Sequence, residues 1–182
     1  MKTLSINQAQ TWCAERGLGL DGFGNPYFQR GGMRGLELKI PEKPSAFVPL
    51  ILALLDATVD ETDLPSGAEH LMWLRDWSIW GNLSTSVGLE LFNHLRFGYG
   101  LIDTADETPA ILFAESEISS LISFSLVPLV FGWDCYILPA SAKHFAFISH
   151  DEWIGVSSVD EATETKMLSR LSHWGPRPQP AP

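Results

Sequence analysis

The spacing of apolar residues along the chain predicts about five helices, and a helix is also favoured for a sixth segment, residues 115–128, whose period is less clear. Ser5 and Gln8 have the spacing of a capping box, so the first helix is expected over residues 6–16. Residues 45–57 are almost wholly apolar and predict a buried helix, with Pro49 in the first turn, where a missing N–H costs little. The other predicted helices cover residues 66–80, 84–97, 115–128 and 158–174.

Some of these helices depend on particular residues. Capping-box spacing also occurs in the pair Ser66 and Glu69 and in the pair Ser158 and Glu161, which predicts a helix start at each. Residues 115–131 are apolar without a clear period, and a helix as far as Pro128 is favoured over a strand. In the helix over 84–97, the residues expected to share one apolar face are Val87, Leu91, Phe92 and Leu95.

Strand patterns lie between these helices. Residues 36–40 alternate apolar and charged side chains, which is typical of a half-buried strand. The runs 133–138 and 144–148 flank the short segment PASAK and predict an antiparallel hairpin, and further strands are expected at 110–114 and 152–156. Because helices and antiparallel strands mix without βαβ alternation, we expect one α+β domain over residues 1–175. The proline-rich end, 176–182, is expected to be a disordered tail.

Three tryptophans give residues 73–80 their unusual character. Trp73, Trp77 and Trp80 follow the spacing i, i+4 and i+7, which places all three on one face of a helix. One interpretation is that this face packs in the core. A second is that it is partly exposed and anchors a partner, because tryptophan is enriched at interface hot spots. A third is that it forms the contact between two copies of the chain.

The charge of the chain is acidic and unevenly distributed. Its 182 residues carry 22 acidic and 12 basic side chains, a net charge of −10 with histidines neutral. Direct nucleic-acid binding is not expected, because it depends on Lys and Arg contacts to phosphates. The excess either keeps the protein soluble or docks a basic partner. Docking candidates lie around 56–69, where we single out Asp60, Glu61 and Asp63, and around 151–164.

The sequence also bears on compartment and redox state. The longest uncharged apolar stretch, 118–133, is short of the roughly 20 residues that a membrane span needs. The N-terminal residues do not resemble a signal peptide, so a cytoplasmic protein is expected. Cys13 and Cys135 lie far apart and outside any CxxC pair, which predicts two buried, reduced thiols.

Motifs for common cofactor chemistry are missing. Residues 17–22 match the letters GxGxxG, but a dinucleotide site needs a strand before the motif and a helix after it. Here a predicted helix precedes it, so a glycine-rich surface loop is expected. The sequence contains no HExxH, P-loop, GxSxG or paired CxxC motif. We therefore expect no cofactor and no metal, and a binding protein rather than an enzyme.

Residues 149–152, Ser-His-Asp-Glu, contain the types that catalytic and metal sites use. Neighbouring residues on a strand point to opposite faces, so they cannot form a triad among themselves. If the predicted hairpin pairs around PASAK, Asp134 and His150 lie near each other at its open end. Asp134, His150, Asp151 and Glu152 are thus candidates for a pocket near Trp77. The alternative is that they make turn and hairpin-end hydrogen bonds.

Taken together, WLRDWSIW at 73–80 and WDCYILPASAKHFAFISHDEWIGVSS at 133–158 resemble bacterial proteins of the kind that include toxin-immunity partners. The resemblance implies a small cytosolic protein that binds another protein. Immunity proteins are often acidic and bind a basic toxin through charge complementarity. The leading hypothesis is a non-enzymatic protein-binding module, immunity-like or regulatory. The alternatives are a small-molecule binder or enzyme using Trp77, Asp134 and His150, and a self-associating structural or accessory protein.

Overall fold

The structure, a computed structural model, describes residues 1–28, 34–56, 69–77 and 82–175, without the side chains of residues 34, 56 and 82–86. The helices of the described part are α1 (Ile6–Glu15), α2 (Phe47–Asp56), α3 (Asn82–Gly98), α4 (Ile118–Phe131) and α5 (Glu161–Leu171). Its strands are β1 (Lys2–Leu4), β2 (Leu18–Leu20), β3 (Pro26–Phe28), β4 (Arg34–Lys39), β5 (Glu69–Asp76), β6 (Ala110–Ala114), β7 (Asp134–Leu138), β8 (His144–Ser149) and β9 (Trp153–Ser158).

Seven of these strands form one antiparallel sheet in the order β1-β6-β5-β7-β8-β9-β4. Strands β2 and β3 form a separate two-stranded hairpin. The predicted α+β class is therefore confirmed, including the hairpin of β7 and β8. The first predicted helix is confirmed together with its cap, because Ser5 Oγ accepts the Gln8 N–H and the Gln8 side chain accepts the Ser5 N–H.

Apolar side chains cover the sheet on both faces. Helices α2 to α5 cover one face, where Met72 of β5 and Ile137 of β7 join a core that includes Phe92 and Phe124. Helix α1 and the β2–β3 hairpin cover the other face, where Trp73 packs with a second set of core residues. Helix α4 contacts both α2 and α3 and carries many buried side chains. No helix among the described residues is long and apolar enough to cross a membrane.

The helix predicted over residues 66–80 is wrong where the structure describes this segment, because Glu69–Asp76 is strand β5. It lies between β6 and β7 and pairs with both. Its central residues, 70–74, are all buried. A strand covered on both faces loses the apolar–polar alternation that marks a half-buried strand, so its sequence does not show a period of two. Residues 57–68 and 78–81 lie outside the described part.

Two predicted helix boundaries are also wrong. Helix α4 continues through Pro128 to Phe131 and ends where Gly132 adopts a left-handed conformation with φ 62°. Pro128 is buried in the core, so packing outweighs the lost backbone hydrogen bond. Helix α5 is capped by Asp160, whose carboxylate accepts the Thr163 N–H, and not by Ser158, which still belongs to β9.

The buried face of α3 also differs from the prediction. Val87 and Leu91 are 49% and 51% exposed, whereas Phe92 is buried. Gly88 faces the core, and a Cβ atom there would lie 2.6 Å from the Trp133 ring. Because only glycine allows this approach, the contact with Trp133 sets the rotation of α3 about its axis.

Both cysteines are free and buried, as the sequence predicts. Burial raises the pKa of the Cys13 thiol to about 12 and also raises the pKa of Cys135. Since the thiolate is the reactive form, these cysteines are packing residues.

Arg96 of α3 is fully buried and holds the chain segment between α3 and β6. Its Nε and Nη1 atoms donate to the carbonyls of Asp103 and Thr108, both at 3.0 Å. Its Nη2 atom donates to Thr108 Oγ1 at 2.6 Å. Burial lowers the pKa of Arg96 to about 10, against the charges of Asp103 and Glu107, so the group stays protonated at neutral pH.

Replacing this arginine tests its role. We expect Arg96→Ala to lower the free energy of unfolding by at least about 2 kcal/mol, because the partly buried carbonyls of Asp103 and Thr108 lose their donors. The matched variant Arg170→Ala, at an exposed position in the last turn of α5, should stay within about 0.5 kcal/mol of the original protein. Urea unfolding of both variants gives the comparison, and equal stabilities would show that Arg96 does not hold this segment.

Candidate functional site: the Asp134–His150 end of the sheet

One end of the three central strands gathers acidic side chains around a histidine. Antiparallel pairing brings the last residue of β5 beside the first residue of β7, so Asp76 and Asp134 are cross-strand partners. The register of β5 shifts between Leu74 and Asp76, which marks a bulge at this point. His150 follows the last residue of β8 and reaches the same end. We call Asp76, Asp134, His150, Asp151 and Glu152 the acidic end.

His150 is held by two hydrogen bonds to one carboxylate oxygen. Its backbone N–H donates to Asp134 Oδ1 at 2.9 Å, and its Nδ1 atom lies 2.8 Å from the same oxygen. A carboxylate only accepts, so Nδ1 carries the proton and donates it. The other ring nitrogen, Nε2, lies 3.5 Å from Asp151 Oδ1.

The tight turn between β8 and β9 sets this geometry. The Glu152 N–H donates to the Ser149 carbonyl at 3.2 Å, and the Asp151 N–H donates to Ser149 Oγ at 3.2 Å. Glu152 adopts a left-handed conformation with φ 63°. The buried Ser149 hydroxyl is thus already engaged as an acceptor within the turn.

The acidic end favours the protonated form of His150. The hydrogen bond with Asp134 raises the pKa of His150 above its usual 6.5, and the charges of Asp134, Asp151 and Asp76 act in the same direction, against burial. Because the pKa of His150 is raised in the folded state, its contact with Asp134 stabilises the fold fully below about pH 6.5, the ordinary pKa of histidine. It is lost as the pH rises through the raised pKa.

An open groove of about 480 Å³ adjoins the acidic end. The turn contributes Ser149, His150 and Glu152 to its wall. Lys39, the last residue of β4, and Glu42, which follows the strand, also line it and form an ion pair at 2.9 Å. The remaining lining residues are mostly apolar and come from the neighbourhood of β4, the start of α2 and the end of α4: Ile40, Pro41, Phe47, Leu129, Val130, Phe131 and Gly132.

The structure brings together some of the predicted residues and separates others. Asp134 contacts His150, as expected from the hairpin, while His150 and Glu152 line the groove. Trp77 is half-buried against the core on the α2–α5 side and is not a lining residue of the groove. Whether these residues form a functional pocket stays a prediction. The docking candidates Asp60, Glu61 and Asp63 lie outside the described residues.

The predicted tryptophan face is wrong for the described residues. Trp73 is buried on the α1 side of the sheet, whereas Trp77 packs against the core on the α2–α5 side. Residues four apart on a regular strand share a face, but the bulge at residues 74–76 breaks that alternation. Trp73 is therefore a core residue, and partner binding by Trp77 stays a prediction. Trp80 lies outside the described residues.

Sequence reasoning missed Asp76 and the groove residues from β4, α2 and α4. The helix predicted over residues 66–80 includes Asp76 and therefore hides its cross-strand pairing with Asp134. A strand over residues 69–76 that pairs with the strand beginning at Asp134 brings the two carboxylates together. Lys39, Glu42 and Phe47 give no local signal, because only the tertiary fold brings them beside His150.

This geometry defines what the site can do. Its carboxylates attract a cationic group, and the apolar part of the groove can accept an aliphatic or aromatic side chain. Among the described residues, no group of three or more His, Cys, Asp and Glu side chains could hold a metal ion.

The chain matches no protein-family model, no curated protein and no solved structure. Its functional assignment therefore depends on the geometry of the acidic end and the groove.

Removing one carboxylate tests the electrostatics. We expect Asp134→Asn to lower the pKa of His150 toward 6.5, because the charge-assisted hydrogen bond is lost. Asp151→Asn should lower it less, because the Asp151 oxygen lies 3.5 Å from Nε2. Titration of the His150 ring protons by nuclear magnetic resonance measures both variants, and an unchanged pKa in Asp134→Asn would contradict the assignment.

Proposed function

We propose that this protein is a protein-binding module, immunity-like or regulatory, that docks a basic partner at the acidic end. The observation that carries the proposal is the position of the acidic end beside an open, partly apolar groove. Around His150, the side chains of Asp76, Asp134, Asp151 and Glu152 are acidic, and Asp151 and Glu152 are exposed.

Charge and shape support the proposal together. Complementary charge steers a partner and fixes its orientation, whereas apolar contacts at the centre of an interface contribute most of the affinity. Phe47 and Val130 provide apolar surface in the groove, and Val130 is 60% exposed. His150 and Glu152 line the same groove, so a basic residue next to an apolar one in the partner can contact both kinds of surface.

The sequence suggests residues 151–164 as one docking region, but the fold divides it. Asp151 and Glu152 precede β9, whereas Asp160, Glu161 and Glu164 follow it. Six residues of strand separate the two groups by about 20 Å. The proposal therefore places the partner at the first group, where the groove is, and leaves the second group as a matched control.

Charge reversal at the two ends of β9 tests this proposal. Three immobilised baits are compared: the original protein, Asp151→Lys with Glu152→Lys, and Glu161→Lys with Glu164→Lys. Both variants change the net charge equally, so non-specific attraction is matched. We expect a basic partner from a cell lysate of the source organism to bind the original and the α5 variant, and to elute with moderate salt.

The acidic-end variant should retain at least about tenfold less of that partner. Mass spectrometry of the eluates gives the comparison, and circular dichroism checks that each bait is folded. Equal retention by all three baits would exclude docking at Asp151 and Glu152. If both variants fail to retain the partner, net charge alone explains its capture, and this result would also contradict the proposal.

The His150–Asp134 contact favours a second candidate, a small-molecule binder or enzyme. Asp134 orients the imidazole through Nδ1, and His150 lies in the wall of the groove. An imidazole oriented in this way is common where histidine binds or moves a proton. The self-associating alternative has no support from Trp73, because that side chain is buried.

A further inference from the structure

Two histidines lie buried at the end of the sheet opposite the acidic end. His70 is the second residue of β5, and His144 is the first residue of β8. The registers of β5 and β8 with β7 place the two histidines on either side of Pro139, the residue that follows β7. By strand alternation both imidazoles lie on the face covered by α2 to α5, as do Met72 and Ala146. They are only 1% and 3% exposed.

Each imidazole has a buried nitrogen with no hydrogen-bond partner in the described part of the chain, Nδ1 in His70 and Nε2 in His144. Their cross-strand neighbours are uncharged: Phe113 of β6 faces His70, and Ser158 of β9 faces His144. Among the described residues, the Ser158 hydroxyl donates to the Asp160 carbonyl. Neither neighbour supplies a carboxylate that would stabilise an imidazolium ion.

The charged groups near the pair are few in the described part of the chain. The charge of Glu115, in the 3₁₀ turn before α4, raises the pKa of His70, and a charge on His70 lowers the pKa of His144. Two further charged residues near the pair interact with other groups. Glu69 raises the pKa of Arg16 of α1, on the other face of the sheet, and Lys143 lowers the pKa of Asp160 at the start of α5. Protonating both histidines would therefore place two positive charges beside each other, with Glu115 as the opposing carboxylate.

We propose that the His70–His144 pair is an acid-sensitive switch: acidification opens this end of β5 and β8, while the acidic end at Asp134 and His150 stays paired. The driving force is the free energy of burying unpaired positive charge, which opening to water relieves. At the acidic end the same protons strengthen the contact between His150 and Asp134.

The direction of the pH effect follows from the two environments. Burial lowers the pKa of His144 to about 4 and also lowers the pKa of His70. The opened state has ordinary values near 6.5, so it binds more protons than the closed state once the pH falls below that value. The equilibrium constant for opening should rise by up to about tenfold per pH unit for each imidazole.

Hydrogen exchange followed by mass spectrometry tests the switch. Protection is measured from about pH 7 to about pH 5, with the intrinsic exchange rate corrected at each pH. We expect peptides covering 69–72 and 143–147 to lose protection by at least about tenfold, because the histidines titrate on opening. Peptides covering 133–136 and 149–153 should keep theirs.

Variants connect the effect to the two side chains. His70→Gln with His144→Gln removes both titrating groups, so the pH dependence at 69–72 and 143–147 should disappear. His94→Gln, at an exposed position on α3, is the matched control and should respond to pH like the original protein. If the double variant does not fold, His144→Gln alone should reduce the pH dependence by about half.

Three results would overturn the proposal. One is unchanged protection at 69–72 and 143–147 down to about pH 5. Another is equal loss at both ends of the sheet, which would indicate global unfolding. The third is an unchanged pH dependence in the glutamine variants, since the proton uptake would then belong to other groups.

Discussion

The double coverage of the seven-stranded sheet is the constraint on which the rest of the structure depends. Strand β5 pairs along both of its edges, with β6 and with β7, and packs on both of its faces. Trp73 fills the α1 side, and Met72 faces α2 to α5. Burial of these large side chains supplies much of the driving force for folding. It also leaves only the ends and outer edges of the sheet for polar chemistry.

The two ends of the central strands shift the pKa of histidine in opposite directions. At one end His150 lies among carboxylates, so the folded state favours its proton. At the other end His70 and His144 are buried beside uncharged cross-strand neighbours, so the folded state disfavours the proton. Arg96 gives a third case, in which a buried cation is tolerated because oxygen atoms accept its hydrogen bonds. Burial alone does not fix the charge state; the available acceptors do.

The parts of the fold that were predictable from sequence are those with local causes. The Ser5 capping box involves residues three apart, and the β7–β8 hairpin follows from two β-rich runs and a short turn, which also brings Asp134 to His150. Strand β5 was not predictable in this way, because burial on both faces removes its alternation. The face of α3 was ambiguous for a similar reason, since Val87, Leu91, Phe92 and Leu95 are all apolar and the close approach of Gly88 to Trp133 decides between rotations.

The candidate site shows the same division between local and long-range causes. His150, Asp151 and Glu152 are adjacent in a turn, whereas Asp76 and Phe47 reach the site only through the packing of the whole sheet.

Nuclear magnetic resonance of residues 69–76 tests the double pairing of β5 most directly. We expect contacts between the backbone protons of Trp73 and those of both Ala110 and Tyr136, its cross-strand partners. Contacts between residues three apart within 69–76, which are typical of a helix, would contradict it.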